Sequence, residues 1–224
     1  MVGVTWPSAW FSASKLPSID FAGHILSVGN KANDADEIGF LYGNMIVNDI
    51  IPKANVNRLP LIVLGHSFGT QLAGRAVFSK PVLKTSSNST AQNPDLLIGL
   101  QPAHSIYRFT KKVGLEGHPF TPDPNLRTKV VITSSRFDEA NPFAFWSKYA
   151  GGKTGLKKAR ESKHEGDFDV TSSDTTVETV PHKPELEKVL LIDSEQFIFD
   201  HNDIMNKQVG QLIAKLIRQY ASGE

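Results

Sequence analysis

The sequence predicts an α/β fold, a mainly parallel β-sheet with helices on both faces. Three observations predict it. First, short apolar runs of strand length alternate with amphipathic stretches of helical period along the chain. Second, the runs Leu61–Leu64, Leu96–Leu100, Thr128–Ser134 and Lys188–Ile192 are apolar or β-branched with little polar alternation, as in strands buried on both faces. Third, a Gly-x-Ser-x-Gly sequence, Gly65-His66-Ser67-Phe68-Gly69, lies where the first of these runs gives way to a helical pattern.

The 224 residues suit one domain with a sizeable core, and 40% hydrophobic and 21% charged content is ordinary for a globular chain. A net charge of +1 gives no pull toward nucleic acid or an anionic membrane surface. Cysteine is absent, so disulfides, thiolate catalysis and Cys-type zinc sites are excluded. No apolar stretch reaches the length of a membrane span, and the first residues lack the layout of a signal peptide, which leaves a soluble, cytoplasmic default. Metal-ligand clusters, phosphate loops and cofactor motifs are not seen, so no cofactor is expected.

Taken in order, Met1–Thr5 (MVGVT) reads as a buried strand, ended by Trp6-Pro7-Ser8 because proline cannot continue a ladder. The next stretch, to Asn33, mixes Gly, Pro and Ser and reads as a loop with a short helix. Asp34–Ile51 reads as a helix: Asn33 or Asp34 caps it, acids occupy its first turn, and Ile38, Leu41, Met45 and Ile46 recur at helical spacing. Past the Gly-x-Ser-x-Gly sequence, Leu72, Ala73, Ala76 and Val77 mark one face of the next helix. Lys80–Asn93 is a polar surface loop, whose sequon Asn88-Ser89-Thr90 is a triplet common by chance. Leu96–Leu100 is a strand, with Gln101–Arg108 at its end as a candidate pocket wall. Lys111–Arg127 is a proline-containing connection. Thr128–Ser134 is the next strand, Arg136–Asn141 a loop, and Pro142 starts a helix with Phe143, Phe145 and Trp146. Residues 151–187 are rich in charge, Ser and Thr, and read as a polar, solvated excursion within a single 1–224 domain; a lid or partner surface at Lys153–Lys163 is the sharper alternative. After the strand Lys188–Ile192, Asp203 caps a final helix to about Tyr220, with Ile204, Leu212, Ile213, Leu216 and Ile217 on its apolar face.

The two glycines around Ser67 carry a steric meaning. A sharp strand-to-helix turn strains the nucleophile's backbone, and side chains at positions 65 and 69 would collide with their neighbours. Such a turn lifts the Ser67 hydroxyl above the sheet and sets the Phe68 amide beside any oxyanion that forms. A serine hydroxyl needs a base, and histidine is the usual one. Of the seven histidines, His201 lies just past the last strand, where a base approaching from the sheet's C-terminal edge belongs. His66 adjoins the nucleophile and is expected to point away; His24, His104, His118, His164 and His182 read as surface or locally bonded residues. The base needs an acid to fix its tautomer. Asp138 follows the strand Thr128–Ser134, with Asp193 and Asp200 as rivals.

The pieces GVTWPS, GHSFG, SSRFDEANP and FDHNDI, and the order Ser67, Asp138, His201, resemble the α/β-hydrolase superfamily in a lipase- or esterase-like branch. The resemblance implies acyl transfer. Ser67 attacks a small-molecule or lipid ester, His201 shuttles the proton, Asp138 orients His201, Phe68 donates to the oxyanion, and water releases the acyl group. In that family GVTWPS matches the fourth strand. The strands preceding it are missing from the sequence as given, and with them the loop that carries the usual second oxyanion donor. The sequence therefore leads us to expect a sheet incomplete on its N-terminal side, with an unpaired edge at Leu61–Leu64, as in a truncated chain or a piece of a longer hydrolase. The alternative function is a non-catalytic or weakly active hydrolase-like scaffold.

Overall fold

A computed structural model describes residues 2–3, 31–79, 82, 94–110, 128–138, 149–161, 168–181 and 188–221. In chain order these form a helical segment α1 (31–54), β1 (Ile62–His66), α2 (Phe68–Phe78), β2 (Leu96–Leu100) and a 3-10 turn (Ile106–Phe109). There follow β3 (Lys129–Ser134), α3 (Lys153–Glu161), β4 (Phe168–Val170), β5 (Val189–Asp193) and α4 (Lys207–Ala221). The five strands make one sheet in the order β1-β2-β3-β5-β4, and every pairing is parallel.

The apolar runs are buried on two faces. Leu96, Ile98 and Leu100 of β2 pack with Leu190 and Ile192 of β5 against Val209, Leu212 and Leu216 of α4. Leu97 of β2, with Val130 and Ile132 of β3, faces Ala73 of α2 and Leu156 and Ala159 of α3. Side chains alternate across a strand, so a sheet covered on both sides needs apolar residues at every position. Among the described residues β1 pairs only with β2 and forms one edge of the sheet, and Leu64 is 47% exposed there. Its start is clamped at both backbone groups: Leu61 donates to the Asp95 carboxylate at 2.7 Å, and the Asp95 amide donates to Leu61 O at 2.8 Å.

Several local expectations change. The first helix is already formed at residue 31, so neither Asn33 nor Asp34 caps its start. Its buried residues are Ala35, Gly39, Gly43, Asn44 and Val47, whereas Ile38, Leu41, Met45 and Ile46 are only half-buried. Ala35, Gly39, Gly43 and Val47 recur every fourth position, which outruns an α-turn of about 3.6 residues. The wide π-type turns at Gly39–Gly43 and Ile46–Ile50 bring them back into line. The close approach requires glycine, since a Cβ on Gly39 would sit 2.5 Å from Leu72 O of α2. The final helix is capped by Asn206, whose Oδ1 accepts from the Val209 amide at 2.9 Å. Asp203 instead accepts from the Phe199 amide at 3.0 Å and braces the preceding turn, and Ile217 is 36% exposed.

Within residues 151–187 the chain forms α3 and β4. Leu156 and Ala159 are buried, and β4 extends the sheet beside β5, so this part of the polar stretch is built into the fold. The Met1–Thr5 strand (apart from Val2 and Gly3, which are not in a strand), the Trp6–Asn30 region, the sequon and the Pro142 helix lie outside the described residues. So do His24, His118, His164 and His182. No helix among the described residues is long and apolar enough to cross a membrane.

Candidate active site

Ser67 stands between β1 and α2 with φ 55° and ψ −127°. A non-glycine residue at positive φ is strained by about 1–3 kcal/mol and persists only where its surroundings hold it. They do so here. The Ser67 amide donates to Leu100 O at 3.0 Å, carrying the β1–β2 ladder one residue past the strand. Thr70 donates from its amide to Ser67 O and from its hydroxyl to Gly65 O, both at 3.0 Å. Phe68 opens α2, so its amide is one of the first-turn N–H groups without an intrahelical acceptor.

The structure brings the three sequence-predicted residues together. His201 Nε2 is 2.8 Å from Ser67 Oγ, and His201 Nδ1 is 3.1 and 3.0 Å from the two Asp138 carboxylate oxygens. Each arrives from the C-terminal end of a parallel strand, as the topology of such sheets favours. Asp138 is buried, its amide donating to Ser135 O at 3.1 Å in the turn after β3. His201 rides on the loop after β5. That loop is tied to β3 by the Ser194 amide on Ser134 O at 2.8 Å and by the Ser135 hydroxyl on Ile198 O at 2.7 Å.

His66 does not point away. Its Nε2–H donates to the backbone carbonyl of His201 at 2.9 Å, and the two rings lie 4.8 Å apart. Burial lowers its pKa, and so does the neighbouring His201, against the opposing pull of that carbonyl. His66 therefore braces the loop that carries His201, and burial favours its neutral form.

Two residues that sequence reasoning did not single out complete the surroundings of Asp138. Gln101 directly follows β2 at φ 44° and donates from Nε2 to Asp138 Oδ2 and to Gly151 O, both at 3.1 Å. Its Oε1 accepts from the Thr133 hydroxyl at 2.9 Å, which fixes the amide's orientation. The Tyr149 hydroxyl lies 3.1 Å from Asp138 Oδ2 and 2.8 Å from His201 Nδ1. Gln101 had a signal, its place at a strand's C-terminal end; Tyr149 had none.

The rival acids are engaged elsewhere. Asp193 pairs with Arg160 at 2.6 Å, and burial raises its pKa. Asp200 accepts from the Asn202 amide at 2.6 Å. His104 is the locally bonded kind, buried with its Nδ1–H on Ser105 O at 3.0 Å, and desolvation pushes its pKa down to about 3, with nearby Arg108 acting in the same direction.

Ser67 and His201 line a groove of about 650 Å³. Ile46, Val47 and Ile51 of α1 and Leu61, Val63 and Leu64 along the β1 edge give it an apolar wall. Among the described residues no group of three or more His, Asp or Glu converges to hold a metal ion. No protein family matches this chain, and no curated protein or solved structure matches it either.

Proposed function

We propose that the protein is a serine ester hydrolase working through Ser67, His201 and Asp138. The observation that carries this reading is the continuous chain of contacts from Asp138 through His201 to Ser67 Oγ at a strained strand-to-helix bend. Asp138 facing Nδ1 selects the tautomer with its proton there, which leaves Nε2 as an acceptor for the Ser67 hydroxyl proton. Ser67 Oγ attacks the ester carbonyl carbon as Nε2 takes that proton. The carbonyl oxygen gains the negative charge and is stabilised by the Phe68 amide and the N-terminal end of α2. Collapse breaks the bond to the alcohol oxygen, which leaves with the proton from Nε2. Water then gives its proton to Nε2 and attacks the acyl-enzyme, and Ser67 regains the proton as the carboxylic acid departs.

The apolar groove beside Ser67 favours an ester with an apolar acyl or alcohol chain, of lipid type or smaller. Hydrolysis of p-nitrophenyl esters from two to twelve acyl carbons, with an anilide control, tests the reading. We expect ester cleavage that outpaces anilide cleavage and falls by about 10³-fold or more in Ser67→Ala. Absence of cleavage by the native chain, or cleavage unaffected by Ser67→Ala, overturns it.

A further inference from the structure

The hydroxyl of Tyr149 has one proton and two neighbours that compete for it, Asp138 Oδ2 at 3.1 Å and His201 Nδ1 at 2.8 Å. If the phenol donated to Nδ1, that nitrogen's lone pair would also face the Asp138 carboxylate, with its oxygens at 3.0 and 3.1 Å and no proton between them. Two acceptors facing each other in a buried site are repulsive. The stable arrangement therefore has the proton of His201 on Nδ1. The phenol proton then points at Asp138 Oδ2, which also accepts from Gln101 Nε2 at 3.1 Å. In that arrangement the phenol oxygen is free to accept a share of the Nδ1–H.

We infer that Tyr149, supported by Gln101, is a positioning residue of this centre, holding the Asp138 carboxylate and the His201 ring in the one tautomer that lets Nε2 receive the Ser67 proton. The inference rests on the serine-hydrolase reading. Tyr149 does not line the groove beside Ser67; its hydroxyl acts through Asp138 and His201. Its location suits this role. It is buried, its backbone is bridged to Ser105, and the adjacent Ala150 amide donates to His104 O at 2.8 Å. Burial raises the phenol's pKa, as does the charge of Asp138, so it stays a protonated donor at all working pH values.

There is also an electrostatic consequence. By donating to Asp138, the phenol draws part of the carboxylate's charge away from the imidazole. Other titratable groups near His201 are His66 at the end of β1, whose neutral form burial favours, and Asp200 and Asp203 within two residues of it in the chain, whose carboxylates accept from the Asn202 and Phe199 amides. Removal of the phenol also takes away the neutral oxygen 2.8 Å from Nδ1, but the charge of Asp138, no longer shared with that hydroxyl, is the stronger of the two pulls, so its hold on the imidazolium grows.

Tyr149→Phe keeps the ring and deletes the hydroxyl. The experiment measures its kcat, KM and kcat/KM–pH profile on a p-nitrophenyl ester, with the rate of Ser67 labelling by a fluorophosphonate. We expect kcat to fall by about 10- to 100-fold with KM within about twofold, slower labelling, and an acid limb of the profile at higher pH than in the native chain. Gln101→Met, which removes the other donor to Asp138, should move both readouts in the same direction by less, and decides the matter if Tyr149→Phe does not fold. A native chain that labels at Ser67 while the folded variants match it in rate and profile overturns this inference alone. A native chain that neither labels nor cleaves overturns the hydrolase reading and this inference with it.

Discussion

Replacing Gly65 by alanine drives a methyl group into the backbone of the following helix. The added Cβ would lie 2.4 Å from the Gly69 carbonyl oxygen, 2.5 Å from the Gly69 carbonyl carbon and 2.6 Å from Thr70 Cα. Ordinary contact begins near 3.4 Å, so the first turn of α2 must retreat from β1 by about 1 Å. No rotamer can absorb the clash, because every atom met belongs to the main chain. Overpacking of this kind costs about 1–3 kcal/mol. At about 2–4 °C per kcal/mol for a chain of this size, the melting temperature should fall by about 2–12 °C. Ser67 and Phe68 sit between the two glycines, so the retreat also shifts the Ser67 hydroxyl from the position where Nε2 of His201 is 2.8 Å away. A misplacement of about 1 Å can cost about 10²-fold in rate. Circular-dichroism melting paired with the fluorophosphonate labelling rate of the folded variant reads both effects. A Gly65→Ala chain with native melting temperature and native labelling rate would refute the reasoning about this bend.

Gly210, in α4, is the opposite case: a Cβ there meets no heavy atom within 4 Å. Gly210→Ala should therefore stabilise the protein by about 0.5–1 kcal/mol, raising the urea midpoint; a lower midpoint contradicts the placement. Asn206→Ala removes the α4 cap and the 2.8 Å bond from Asn206 Nδ2 to Phe197 O, and should cost about 1–2 kcal/mol, read by the same titration, whereas no change would sink the capping assignment. Burial keeps His104 neutral in the folded chain down to about pH 3, whereas unfolded it titrates near 6.5. Between these values the unfolded chain binds the extra proton, so stability falls as pH drops through that window, by on the order of 5 kcal/mol at its lower end. His104→Gln should flatten that part of the stability–pH curve between pH 6.5 and 4.5; parallel curves for the two chains would contradict the assignment.

Much of the architecture was legible because it rests on local signals. The run Leu96–Leu100 became β2 with the same bounds, since a strand buried on both faces is apolar at every position. The Gly-x-Ser-x-Gly sequence revealed the bend because its glycines answer a steric demand that is itself local. Asp138 and His201 were found by their positions after strands, which works only where the sheet is parallel. Other features depend on tertiary contact and left no such trace. β4 is a three-residue edge strand with one buried side chain, Phe168, inside a polar stretch, so it has no apolar run to detect. The closest approach of α1 to α2 is made at Gly39 and Gly43, residues that permit close contact while adding no hydrophobic pattern. Asp203 and Asn206 are both capping types three positions apart, and only the start of the helix decides between them. Tyr149 reaches Asp138 across a fold of the chain that no spacing rule anticipates.

Mass mapping after reaction with a fluorophosphonate tests the central claim most directly. The account predicts one adduct, on the peptide that contains Ser67, absent in Ser67→Ala and strongly slowed in His201→Gln. An adduct at another residue, or a native chain that forms none, would contradict it.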